Sequence, residues 1–112
     1  MPKAGVFIGM YDAPQDEDFN AWLHGRYYRA ILKMPGVRSI QRLEVIDPPL
    51  GHQRYVVLIE TDDIAATLRH RDSDEWRHWQ QEAAQKGLIN RTLVPGKRIV
   101  RLSAESSETA GQ

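Results

Sequence analysis

The stretch DEDFNAWLHGRYYRAILKMPGV, residues 16–37, decides how this chain folds. Its apolar residues recur at helical spacing, and three acidic residues open it, where the positive end of a helix dipole favours negative charge. Met34-Pro35-Gly36 stops the helix, and the chain turns directly into a strand at Val37. At about 100° per residue, Phe19, Leu23, Ala30 and Met34 share one stripe, with Trp22 and Ile31 beside it. Arg26 falls inside that stripe and Tyr27 at its edge, whereas His24 and Tyr28 point away. His24, the one histidine of this helix, is therefore read as a surface residue. Gly25 is out of place in mid-helix, where glycine costs about 1 kcal/mol relative to alanine. Either it is tolerated there, or it admits the close approach of a chain or ligand.

An arginine on an apolar stripe has two readings. It snorkels or joins a structural ion pair, or it faces a ligand and holds an oxyanion through its forked donors. Tyr27 either packs with its hydroxyl in water or donates to that same anion.

Working outward, Ala4 to Tyr11 reads as a first strand and Val37 to Ile46 as a second, closed by Asp47-Pro48-Pro49-Leu50-Gly51. Arg54 to Glu60 is a third strand, apolar on both alternating faces, so both sides of the sheet need cover. A short helix over 62–70 follows. Ser73 or Asp72 caps a further helix from about Asp74 to Lys86, which Gly87 ends. A last strand lies within 90–102, bent or interrupted at Pro95-Gly96. Trp76 and Trp79 share the buried face of the last helix, with His78 opposite. The order β-α-β-β-α-β is the ferredoxin-like α+β arrangement, a four-stranded antiparallel sheet with helices on one face. Val56, Val57, Leu58 and Ile59 leave the second face in need of a partner, and a second copy of the chain supplies one. Residues 1–102 form one domain, and the polar segment 103–112 is expected to be disordered.

Composition narrows the function. The 112 residues carry 15 basic and 15 acidic side chains and no cysteine. A balanced charge without a basic stripe argues against nucleic acid. The lack of cysteine removes disulfides, thiolate nucleophiles and Cys-based zinc sites. No histidine pair has helical ligand spacing, so no metal is expected. No apolar run is long enough to span a bilayer, and the N-terminus lacks a signal-peptide pattern, which makes the cytoplasm the expected compartment. His52, in the Pro-Pro loop, is either solvated or the lid of a pocket.

Phe19 to Trp22 (FNAW), Met34-Pro35-Gly36-Val37, Arg42, Arg54 to Glu60 (RYVVLIE), and Ser73 to Trp76 with Trp79 together resemble the dimeric α/β-barrel superfamily. Within it, EthD-type proteins and related small proteins are the nearest match. The resemblance spans roughly residues 4–102 and implies two ferredoxin-like protomers closing into a barrel, each with a pocket between sheet and helices. It also implies a cofactor-independent enzyme, of monooxygenase, cyclase or isomerase type, acting on an apolar or aromatic molecule. The alternative is a non-catalytic binding or accessory protein using the same pocket. On the enzyme reading Arg26 stabilises a developing oxyanion and Tyr27 donates or relays a proton, while Tyr11, Trp22 and Tyr55 form the pocket wall. Tyr27 stands where such proteins often carry a histidine, so a mechanism through that histidine does not transfer. Haem binding lacks a well-placed axial histidine.

Overall fold

In the computed structural model, residues 2–47 and 53–104 are described. The Pro48-Pro49 turn, His52 and residues 105–112 of the tail lie outside them. The elements are β1 (Gly5–Asp12), α1 (Glu17–Trp22), a π-helical turn (Leu23–Tyr27), α2 (Tyr28–Leu32), β2 (Val37–Glu44), β3 (Arg54–Thr61), α3 (Ile64–Arg71), α4 (Asp74–Gln85) and β4 (Ile89–Gly96). The four strands form one antiparallel sheet in the order β2-β3-β1-β4. The helices pack on a single face, as the ferredoxin-like reading requires.

Local chemistry accounts for the boundaries. Asp16 caps α1, Asp63 caps α3, and Ser73 Oγ accepts the Trp76 amide at 3.2 Å to start α4. Gly87 follows the C-cap of α4 at φ +111°, and Gly36, at φ +87°, lies in the turn that the Val37 amide closes on the Met34 carbonyl before β2; both sit in a region open to glycine at no steric cost. β4 ends at Pro95-Gly96, the expected point of interruption, and Pro95 is accommodated as its penultimate residue because an edge strand tolerates the missing donor.

The helix stripe departs from the simple wheel. The Tyr28 amide bonds back to the Leu23 carbonyl, five residues earlier. That bond places one extra residue in the turn, so every later side chain slips by one position. The buried set becomes Phe19, Trp22, Leu23, Tyr27, Tyr28, Ile31 and Met34. Tyr28, expected to point away, is core; Ile31 takes the place expected for Ala30; and Arg26, expected on the apolar stripe, is exposed. Gly25 admits no close approach, since a Cβ there would meet nothing within 4 Å.

The core lies between the helices and the inward residues of the central strands: Phe7, Tyr11, Tyr55, Val57 and Ile59. Gly9 belongs to this inward row, and its bare backbone lets two neighbours close over it. On the opposite face Ile8, Met10, Leu43 and Val94 are exposed, with Val56 and Leu58 half-buried between them.

A Cβ on Gly9 would lie 2.6 Å from Val57 Cγ1 and 3.0 Å from Leu93 Cδ1. Gly9→Val should therefore lower the urea midpoint, by about 1–3 kcal/mol of stability. An unchanged midpoint would mean that β3 and β4 do not pack across this residue.

Candidate functional site

On β2, Ile40, Arg42 and Glu44 alternate toward the helix side of the sheet, and Arg42 reaches beneath α1. Its Nε donates to Tyr11 Oη at 2.7 Å, and its Nη1 donates to Asn20 Oδ1 at 2.9 Å and to His24 Nε2 at 3.0 Å. The guanidinium carbon stands 3.9 Å from the Tyr55 ring centroid, a cation–π stack. Nη2 is buried and has no partner among the described residues. Tyr11 Oη in turn lies 2.8 Å from Tyr28 Oη, in the core. Five elements thus meet at one guanidinium: β1, α1, the π turn, β2 and, through Tyr55, β3. The bond to Tyr28 adds α2.

Arginine is a donor only, so His24 Nε2 must accept, and the imidazole proton sits on Nδ1. Burial first, and then the Arg42 charge, hold His24 below its ordinary pKa. It is neutral at pH 7. The unfolded chain, with a histidine near pH 6.5, takes up the proton first on acidification, so this residue makes the fold less stable as pH falls through that range.

The tyrosines behave differently. Burial raises Tyr11, but the Tyr28 hydroxyl and Arg42 both pull it back. Burial raises Tyr28 much further, and its Tyr11 neighbour adds to the rise. Of this pair Tyr28 keeps its proton, and Tyr11 carries the oxygen toward which two donors point.

Two spaces flank this hub. An open cleft of about 480 Å³ is lined by Gln15, Asp16, Glu17, Asn20, His24, Arg42, Glu44 and Tyr55. An inner cavity of about 30 Å³ lies between sheet and helices, with Tyr11, Tyr27, Tyr28, Val57, Trp76 and Leu93 among its lining residues. That is room for one or two water-sized molecules. The Tyr11–Tyr28 pair borders the inner space, and Arg42 stands behind it from the cleft side.

The expected site residues separate. Tyr55 lines the cleft, and Tyr11 lines the inner cavity while accepting from Arg42 of the cleft. Tyr27 lines the inner cavity with its hydroxyl toward Arg91; burial pushes its pKa up to about 12, and Arg91 acts against that rise. Trp22 stacks edge-on with Tyr27 at 5.4 Å in the core, its Nε1 unpartnered among the described residues, and it is absent from both linings. Arg26 is exposed and lines neither space. The sequence pattern does not single out Asn20, Tyr28 or Arg42, and His24, read as a surface residue, is exposed at the cleft. Arg42 carried a faint signal, a charge in alternation with Ile40. Among the described residues no cluster of His, Cys, Asp and Glu could hold a metal ion, and no helix is long and apolar enough to cross a membrane.

The family model described as antibiotic biosynthesis monooxygenase matches residues 25–82. No curated protein matches the chain. Solved structures share its fold at low identity. An EthD-family protein from Bacillus halodurans C-125 is 20% identical, with TM-score 0.62, covering 86% of this chain and 99% of its own. SnoaB, a cofactor-independent oxygenase from Streptomyces nogalater, is 15% identical, with TM-score 0.65 and coverage of 91% and 97%. Rv0793 from Mycobacterium tuberculosis is 14% identical, with TM-score 0.64 and coverage of 90% and 100%.

If Arg42 shapes the His24 environment, a proton NMR titration of the imidazole should give a midpoint below about 6.5. In Arg42→Met it should move up, though only part of the way, since burial is the larger cause. A midpoint at or above the ordinary value in the unaltered protein would contradict the contact.

Proposed function

The chain belongs to the antibiotic biosynthesis monooxygenase family, and from that premise we propose that it is a small cofactor-independent enzyme that oxygenates an apolar, enolisable aromatic molecule. The observation that carries this reading is the Arg42–Tyr11–Tyr28 chain, with Arg42 Nε 2.7 Å from Tyr11 Oη and the two hydroxyls 2.8 Å apart. A fixed cation behind a pair of buried hydroxyls suits an oxygen that becomes negative during the reaction and not before it. In a site largely closed to water, such donors stabilise an enolate or phenolate more than water does.

The substrate binds neutral; its activated CH2 group then gives a proton to a water molecule in the site, and the enolate oxygen so formed accepts from the Tyr11 hydroxyl, which Tyr28 and Arg42 polarise from behind. Dioxygen, the co-substrate, takes the electron pair at carbon. A C–O bond forms and the new peroxide is protonated; loss of water then leaves a ketone. The balance is CH2 + O2 giving C=O + H2O, with carbon oxidised and dioxygen reduced. His24 and Asn20 hold Arg42 in place, and Tyr55 stacks on its face. The inner cavity is too small for a ring system as it stands, so Tyr27, Trp76 and Leu93 must part to admit one.

Dithranol, a tricyclic phenolic ketone with one acidic methylene, serves as the probe in an oxygen electrode. Tyr11→Phe and Arg42→Met should each reduce oxygen uptake about 100-fold while dithranol still binds. Full turnover in both folded variants would reject the site. Binding by the unaltered protein without any oxygen uptake would favour the accessory-protein reading.

We also propose a homodimer joined through the outer sheet face, supported by the exposed Ile8, Met10, Leu43 and Val94. We propose the cytoplasm as its compartment. Light scattering should give twice the chain mass at micromolar concentration, and Leu58→Asp should halve it. A monomeric unaltered protein would refute the interface.

A further inference from the structure

A second opening to the interior lies on the far side of the inner cavity, where the edge strand β4 passes α3 and α4. Alternation puts Arg91 and Leu93 on the helix side of β4. Both line the inner cavity, and both also line an outer hollow of about 330 Å³ with Arg71, Asp72, Arg77 and Gln80. Outer hollow and inner cavity therefore share two residues of one strand.

The charge of this hollow is unlike that of the rest of the protein. Three guanidiniums face one carboxylate, in a chain whose formal net charge is zero. Arg77 is partly engaged, with Nη2 3.1 Å from Asp74 Oδ1, and Arg71 has a long pairing with Asp72 at 3.8 Å. Arg91 is held by neutral groups. With the Gln80 amide turned so that its oxygen faces inward, Oε1 accepts from Trp76 Nε1 at 2.6 Å and from Arg91 Nη2 and Nη1 at 2.7 and 3.0 Å. Arg91 also lies near the Tyr27 hydroxyl, where its charge works against the rise of that group's pKa. These contacts fix the plane of the guanidinium and leave its charge uncompensated by any ion pair among the described residues.

The cleft at Arg42 has the opposite character. Asp16, Glu17 and Glu44 line its wall and disfavour the approach of an anion. Of the two openings, only the one at Arg91 suits a negatively charged ligand. Gln80 takes one N–H of each Arg91 Nη, the remaining N–H donors lie in the same fixed plane and suit a carboxylate, and Leu93 with Trp76 continues inward as apolar surface.

We propose that Arg91, supported by Arg71, is a carboxylate-recognition site at this second opening, and that the ligand is an aromatic or otherwise apolar acid. Its ring enters from the outer hollow past Leu93 toward Trp76, which must part to admit it since the inner cavity is about 30 Å³, and its carboxylate stays at the rim. The site shares the inner cavity with the oxygenation reading but does not depend on its chemistry, because it concerns binding alone.

The test compares naphthoate with neutral naphthylmethanol, titrated against the intact protein by calorimetry and tryptophan fluorescence at low salt. Naphthoate should bind at least tenfold more tightly, and the preference should shrink as salt is raised. Arg91→Gln should remove the preference while naphthylmethanol binding stays within twofold, and Arg91→Lys should keep only part of it. Arg29→Gln, which removes an exposed charge elsewhere, should change neither. An unaltered protein with no preference for naphthoate overturns the proposal whatever the variants do. So does an Arg91→Gln protein that retains the preference. Failure of the oxygenation reading has a different signature: dithranol turnover that ignores Tyr11 and Arg42 leaves the naphthoate result untouched.

Discussion

The bond from the Tyr28 amide to the Leu23 carbonyl is the constraint on which the interior of this protein depends. An α-helix through the same residues would keep its inward stripe on Leu23, Arg26 and Ala30 and would drive a guanidinium into the core. One added residue in the turn sends Arg26 to solvent and delivers Tyr27 and Tyr28 together to the sheet. Only then can Tyr28 meet Tyr11 across the core, at the hydroxyl that Arg42 holds from the other side. The π turn, a local irregularity that recurs at functional sites, thus costs some regular hydrogen bonding and offsets that cost by placing two aromatic side chains.

Around that turn the burial of polar groups is closely managed. Tyr11 and Tyr28 satisfy each other, and Arg42 completes the set from the half-exposed edge. Buried hydroxyls with partners are tolerable; without them each would cost about 1–3 kcal/mol. The same arrangement also suits reactivity, since donors fixed in a dry place need no reorganisation when charge appears beside them. Stability and the proposed chemistry therefore use the same three side chains, and no variant of Arg42 leaves either wholly unaffected.

The two openings of the interior differ in charge because different elements supply them. The N-cap and first turn of α1 bring Asp16 and Glu17, which suit the helix dipole, to the Arg42 cleft. The end of α3 brings Arg71, favoured at a helix C-terminus, to the opposite hollow. Helix-end preferences that serve folding thereby set the field at each mouth.

Much of this was legible in the residues alone. Stop signals at Met34-Pro35-Gly36 and Gly87, the Ser73 cap, the run RYVVLIE and the order of elements determine a ferredoxin-like sheet with one covered face, because these effects are local or have a simple period. Tyr11 and Tyr55 could be named from their alternation in strands. The helix phase could not, because a π turn arises when side chains some distance apart in sequence compete for one core, and no period of 3.6 contains it. Arg42 was equally opaque: β2 mixes polar and apolar residues on both faces, so alternation alone does not say which face is inward. What the sequence by itself determined was the scaffold and its apolar inner face. Tertiary structure alone decided which arginine, Arg42 and not Arg26, stands behind the tyrosines, since that choice depends on packing between β1, β2 and a helix whose phase only the assembled core sets.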